Sequence, residues 1–75
     1  MSRLPVIDSR RVLAALKRAG FRVHRVTGSH YHLIPEGRKF PLVTVPYHSG
    51  DMKPGTLRAI IRQAEMTVEE FIRHL

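Results

Sequence analysis

The spacing of apolar residues changes period twice along this chain, and that change constrains its fold more than any other feature. From Asp8 or Ser9 to Ala19 the apolar residues recur at helical spacing, which predicts an amphipathic helix. Asp8 and Ser9 are residue types that cap helix N-termini, and Gly20 readily adopts the left-handed conformation of a C-cap. Both ends of a first helix are therefore marked.

Three segments with alternating apolar and polar residues follow, at residues 21–26, 30–34 and 40–46. The connections between them are short, so we expect an antiparallel sheet. The period of two predicts a face covered by helices, which carries Phe21, Val23, Tyr31, Leu33, Val43 and Val45. The other face is expected to carry Arg22, His24, His30, His32 and Thr44, together with the apolar Val26, Phe40 and Leu42.

The C-terminal part returns to helical spacing. Pro54 fits the first turn of a second helix, whose buried stripe is Leu57, Ile60, Ile61 and Ala64. Thr67 and Glu70 have the spacing of a capping box, which predicts a short third helix. The expected fold class is α+β, with the order helix, three antiparallel strands, helix, short helix, in one domain over residues 1–75.

Size and composition limit the classes of protein that this chain can belong to. A chain of 75 residues, of which 43% are hydrophobic, can build one thin core, and no stretch is apolar for long enough to cross a bilayer. The N-terminus lacks the apolar run of a secretory signal, and there is no cysteine for disulfides or thiolate ligands. We therefore expect a cytoplasmic protein with no membrane partner.

The charge balance predicts a polyanionic partner. Thirteen Lys and Arg against six Asp and Glu give a formal charge of +7, and most of the cations are Arg. The planar guanidinium group pairs with phosphate in a bidentate manner and stacks on bases, so nucleic acid is the first partner to consider. An anionic membrane or an acidic protein would also be attracted by such a charge.

Five short motifs together resemble the HicA family of toxin messenger-RNA interferases, also called YcfA-like proteins. In order along the chain they are LKRAGF (16–21), GSH (28–30), VPYH (45–48), KPGTL (53–57) and EEF (69–71). Each motif is weak alone, but their order and spacing match over nearly the whole chain. One position departs from the family pattern, because Glu65 stands where the family usually has glycine.

The resemblance implies a fold, an activity and a partner. The fold would be like a double-stranded-RNA-binding domain, with helices on one face of the sheet. The activity would be metal-independent cleavage of messenger RNA in the cytoplasm, in which the neighbouring 2′-hydroxyl attacks and leaves a cyclic phosphate, and a HicB antitoxin would neutralise it. The histidine of the Gly-Ser-His turn is catalytic in that family, which corresponds to His30.

The chemistry of RNA cleavage supports the choice of His30. The reaction needs a group that takes or gives a proton near neutral pH, and imidazole is suited to this. Gly28 permits a tight bend, and Ser29 can hydrogen-bond locally or to a phosphate oxygen. The tripeptide alone is more often an ordinary hairpin turn with an exposed strand histidine. The basic charge and the resemblance favour the catalytic interpretation.

The remaining candidates are RNA-binding residues. His32 faces the same way as His30 and either contacts a phosphate or is only polar and exposed. Cations should lie close to a phosphate that gains charge in the transition state, although for each of them a solvated surface is the alternative. The candidates are Arg22, Arg25, Arg38, Lys39 and Lys53.

The histidines show no spacing typical of a metal site, and no cofactor is expected. The exposed apolar residues Val26, Phe40 and Leu42 suggest where an antitoxin would dock. A non-catalytic RNA-binding module remains the alternative function. A DNA-binding regulator lacks support, because the sheet separates the two longer helices and they form no helix-turn-helix.

Overall fold

Residues 3–75 fold as one helix, a three-stranded antiparallel sheet and two further helices. The computed structural model describes residues 3–75, so Met1 and Ser2 of the expected domain lie outside the described residues. Within residues 3–75, no helix combines the length and the apolar character needed to cross a bilayer. The elements are α1 (Ser9–Arg18), β1 (Phe21–Thr27), β2 (His30–Pro35), β3 (Val43–Pro46), α2 (Pro54–Gln63) and α3 (Val68–Ile72).

The sheet has the order β1-β2-β3, and β2 pairs with both neighbours. The helices lie against one face, as the alternation predicted, and apolar residues of the sheet and of all three helices form one core. The expected α+β fold resembling a double-stranded-RNA-binding domain is confirmed. Residues that are fully buried in this core include Val12, Leu16, Leu33, Val43, Val45, Leu57 and Phe71.

Side-chain caps fix the start of the first and last helices. The Asp8 carboxylate accepts a hydrogen bond from the Arg11 backbone N–H at 3.0 Å, which satisfies one of the free donors of α1. Thr67 and Glu70 form the predicted capping box. The pKa of Glu70 is lowered mainly by the hydrogen bond from the backbone N–H of Thr67 and, to a lesser extent, by hydrogen bonding with the Thr67 side chain. The predicted starts of these two helices are confirmed.

The third strand is shorter than the sequence predicts. It begins at Val43, and the expected residues 40–42 lie in the connection from β2. Pro41 cannot donate a ladder hydrogen bond, and neither can Pro35 at the end of β2. The pairing of β2 with β3 therefore stops at Leu33 and Val43, and Phe40 and Leu42 belong to a loop.

Glu65 ends α2 in the conformation that glycine favours. Its φ is +58°, in the left-handed region. The Glu65 N–H donates to the Arg62 carbonyl at 3.0 Å, and the Met66 N–H donates to the Ile61 carbonyl at 3.2 Å, which is the pattern of a Schellman motif. Glu65 therefore keeps the helix end that a glycine would form, but its Cβ atom makes the left-handed backbone conformation strained.

Replacing Glu65 by glycine should stabilise the protein. The left-handed conformation costs a non-glycine residue about 1–2 kcal/mol, and the greater freedom of glycine in the unfolded chain offsets about 0.4–1 kcal/mol of the gain. We expect Glu65→Gly to raise the free energy of unfolding by about 0.5–1 kcal/mol in urea denaturation. Glu65→Ala removes the same charge but keeps the Cβ atom. An equal gain in both variants would show that charge, not backbone strain, is responsible.

Candidate nucleic-acid interface

The Gly-Ser-His tripeptide forms the tight turn between β1 and β2. Gly28 and Ser29 are the two residues of the hairpin loop, since Thr27 pairs with His30. Gly28 has a φ of +59°, which explains the need for glycine at the first loop position. The Ser29 carbonyl accepts a hydrogen bond from the Tyr47 N–H at 2.6 Å. The turn is therefore held against the end of β3.

A buried hydroxyl group attaches α1 to the same end of the sheet. Ser9 is fully buried, and its Oγ donates to the Pro46 carbonyl at 3.0 Å and accepts from the His48 N–H at 3.4 Å. Pro46 pairs with His30 across the sheet. Asp8 already caps the helix, so Ser9 is not a second cap but a link between α1 and the strand beside His30. This role could not be predicted from the neighbouring residues, because Pro46 is 37 residues away in the sequence.

His30 is exposed at the start of the central strand. It pairs with Thr27 on β1 and Pro46 on β3, so its side chain projects from the sheet face that the helices leave open. We call this surface the open face. Neither ring nitrogen of His30 bonds to any of residues 3–75. The imidazole is thus free to contact a ligand.

His32 lies on the same face but is held by two hydroxyl groups. Its Nε2 is 2.7 Å from Thr27 Oγ1, and its Nδ1 is 3.3 Å from Thr44 Oγ1. The two threonines come from the strands on either side, and the ring is partly buried between them. Both nitrogens are therefore engaged, so His32 is less available than His30 for exchange of a proton with a ligand. Thr27 was not a candidate in the sequence.

A bulge in β1 changes which of its side chains face the open side. The register moves by one residue between Val23 and Arg25, which leaves His24 as the extra residue. Arg25 therefore lies opposite His32 on the open face.

The predicted position of Val26 on the open face is wrong. Beyond the bulge this residue pairs with Tyr31, on the side of the sheet that the helices cover. It remains 48% exposed near the end of the hairpin. Tyr31 packs against the core and also contacts Tyr47, with ring centroids 5.2 Å apart. Val26 is thus separated from Phe40 and Leu42, with which it was grouped.

Four of the five predicted cations come together at the other end of the open face. Arg22, Arg25, Arg38 and Lys39 line a cavity of ≈ 630 Å³, which also contacts His24 and the apolar Ile34, Phe40 and Leu42. Arg22 pairs with Glu36 at 3.6 Å. Lys53 is the N-cap residue of α2 and does not line this cavity.

His30 does not line the cavity either. It lies four residues before Ile34 on β2, or about 13 Å away at the usual rise of an extended strand. Within residues 3–75, no three His, Cys, Asp or Glu side chains are grouped so that they could hold a metal ion.

Taken together, the fold and the open face define a small basic α+β protein with an exposed histidine on the sheet face opposite its helices. Residues 9–66 match the model of the HicA toxin family of bacterial toxin–antitoxin systems. The chain therefore belongs to the HicA toxin family, as its motifs predicted, and membership implies an antitoxin partner. No curated protein matches the chain.

The link through Ser9 should contribute measurably to stability. Ser9→Ala leaves the Pro46 carbonyl without its hydroxyl donor and the His48 N–H without its acceptor, so we expect a loss of about 1–3 kcal/mol in the free energy of unfolding. Ser49→Ala is the matched control, because Ser49 is exposed and its hydroxyl makes no hydrogen bond with residues 3–75; its expected effect is within about 0.5 kcal/mol. Equal effects of the two substitutions would contradict the role given to Ser9.

Proposed function

We propose that this HicA-family protein is a metal-independent endoribonuclease that cleaves messenger RNA in the cytoplasm, as a single domain over residues 1–75. His30 is the general acid or base, and a HicB-type antitoxin neutralises the activity. The observation that carries the proposal is an exposed imidazole without a hydrogen-bond partner among residues 3–75, on a sheet face that also bears a group of cations.

The chemistry assigned to His30 is a proton transfer. Attack of the ribose 2′-hydroxyl on the adjacent phosphorus forms a new P–O bond and breaks the bond to the 5′-oxygen, which leaves a 2′,3′-cyclic phosphate. A base takes the 2′-hydroxyl proton, or an acid gives a proton to the departing 5′-oxygen, and imidazole performs either step near neutral pH. The reaction needs no external water and no metal ion in this step.

Other residues of the open face position the phosphate. Arg25 lies opposite His32, two residue pairs along from the pair that contains His30, and is the cation of the described sheet nearest to His30 in the strand register. A guanidinium group there would stabilise negative charge on the phosphoryl oxygens. His32 and the Gly28-Ser29 turn contribute to RNA binding and to the placement of His30, while Lys53 binds phosphate farther along the strand.

Substitution of His30 tests the catalytic assignment. We expect His30→Ala to lower kcat for cleavage of a defined RNA by about 100- to 10,000-fold, because a positioned general acid or base contributes that much. RNA affinity should persist, since the cations remain. Cleavage is measured in the presence of a chelator with mapping of the product ends. His74→Ala, a change outside the sheet in the C-terminal turn, is the matched control.

Two results would contradict this assignment. Full cleavage by folded His30→Ala would show that His30 is not catalytic. Binding of RNA without cleavage by the wild-type protein would favour the alternative, a non-catalytic RNA-binding module. An RNA with a 2′-deoxynucleotide at the cleaved position gives an independent check, because it lacks the attacking hydroxyl group and should remain intact.

The antitoxin is expected to cover the open face. An acidic protein seated there would neutralise Arg25, Arg38 and Lys39 and would bury His30, so one contact would block both RNA binding and proton transfer. We expect the product of the neighbouring gene to form a complex that no longer cleaves RNA and that weakens as salt concentration rises. No complex at micromolar concentration, or a complex that still cleaves, would contradict this proposal.

A further inference from the structure

The cavity at the far end of the open face has an apolar floor, formed by residues that do not belong to the main core. Ile34 is only 4% exposed, yet it is on the face away from the helices and is not part of the core cluster. Phe40 and Leu42 lie beside it in the same cavity and are 75% and 46% exposed. An exposed aromatic ring next to a small aliphatic surface is a platform on which a planar group can stack.

Cations surround this platform. Arg25, Arg38 and Lys39 line the cavity and form no ion pair with the other described residues, whereas Arg22 is partly neutralised by Glu36. Guanidinium and ammonium groups bind phosphate oxygens. The cavity thus combines the two features that a nucleotide needs, a surface for the base and a positive rim for the phosphate.

The shape of the cavity favours a nucleotide over a protein. Its volume of ≈ 630 Å³ is in the range typical of sites that enclose a small ligand. A protein interface covers about 800 Å² on each partner, and its core is not confined to one small concavity. An acidic segment of a protein would use the cations but would leave the stacking surface of Phe40 without a planar partner.

We propose that this cavity is a second RNA subsite, which holds an unstacked base of single-stranded RNA against Phe40 while Arg25, Arg38 and Lys39 bind the adjacent phosphates. The inference rests on the proposed function, because the RNA strand that occupies the cavity is the one that passes His30. The distance of about 13 Å between Ile34 and His30 corresponds to about four stacked nucleotides at a rise of about 3.4 Å each. The subsite therefore fixes how many nucleotides separate the stacked base from the cleaved bond.

The test uses RNA oligomers with one base removed. Binding is measured by fluorescence anisotropy at fixed salt in the His30→Ala background, so that the RNA stays intact. We expect Phe40→Ala to weaken binding by about 10-fold, which is the loss of one base–aromatic stack. Removal of the base at one position, within about four nucleotides of the cleaved bond, should weaken binding equally. Phe40→Ala should then cause no further loss of affinity for that oligomer, because both changes remove the same base–aromatic contact.

Two control variants make the result specific. Phe40→Trp keeps an aromatic surface and should retain the affinity. Val6→Ala removes an apolar side chain that is 74% exposed but lies outside the cavity, and should change nothing. The high exposure of Phe40 means that its replacement leaves the core intact, which thermal unfolding checks.

Any of three outcomes would overturn the proposal of a subsite. The first is an unchanged affinity of Phe40→Ala for RNA, and the second is that the losses from Phe40→Ala and from base removal add together wherever the base is removed. The third is that Phe40→Ala loses affinity only for an acidic antitoxin. Failure of the proposed function is distinguishable, because it is measured as cleavage. Full cleavage by His30→Ala together with weak RNA binding by Phe40→Ala would reject the catalytic assignment and keep the subsite. Loss of cleavage in His30→Ala together with unchanged RNA binding by Phe40→Ala would reject only the subsite.

Discussion

The pairing register of the central strand determines which side chains share the open face. In antiparallel strands, directly paired residues project to the same side, so β2 selects its neighbours on both sides. Thr27 and Thr44 reach His32 only in this register. The extra residue at His24 turns Arg25 toward the open face and Val26 away from it. A shift of one residue would exchange the two faces of β1 and remove the arrangement around His32.

Much of the fold was predictable because the local signals agree with one another. Helical spacing, caps and alternation each point to the observed order of elements, and Asp8, Gly20 and the Thr67–Glu70 box mark helix ends that the structure confirms. Glu65 shows how strong the context is, since the helix ends there in the left-handed conformation although the residue is not glycine. The gain from the surrounding packing and hydrogen bonds exceeds the strain of one residue.

The site was predictable only in part, because its geometry depends on contacts between distant residues. The bulge shifts the alternation of β1 by one residue, so that Val23 and Val26 lie three residues apart, and a strict period of two gave the wrong side for Val26. The role of Ser9 depends on a strand end 37 residues away. The cavity depends on a loop that was predicted as strand, and Pro41 in this loop and Pro35 at the end of β2 stop the ladder. Only the prolines could have indicated this from sequence.

The open face divides into two ends with different chemistry. At one end His30 stands exposed above a turn that Tyr47 holds in place through the Ser29 carbonyl. At the other end cations surround an apolar surface. His32 lies between the two ends, partly buried and held by its threonines. A polymer is the type of ligand that reaches both ends at once, which agrees with RNA as the proposed substrate and distinguishes it from a single small anion.

The concentration of positive charge also links stability to binding. A formal charge of +7 on 75 residues opposes compaction through self-repulsion, and Arg25, Arg38 and Lys39 have no carboxylate partner among residues 3–75 to relieve it. Any polyanion that binds the folded chain removes part of this repulsion and stabilises the fold, by about 2.7 kcal/mol at a concentration 100 times its Kd. RNA and an acidic antitoxin would draw on the same cations. Under the proposed function, competition for one surface would be sufficient for neutralisation.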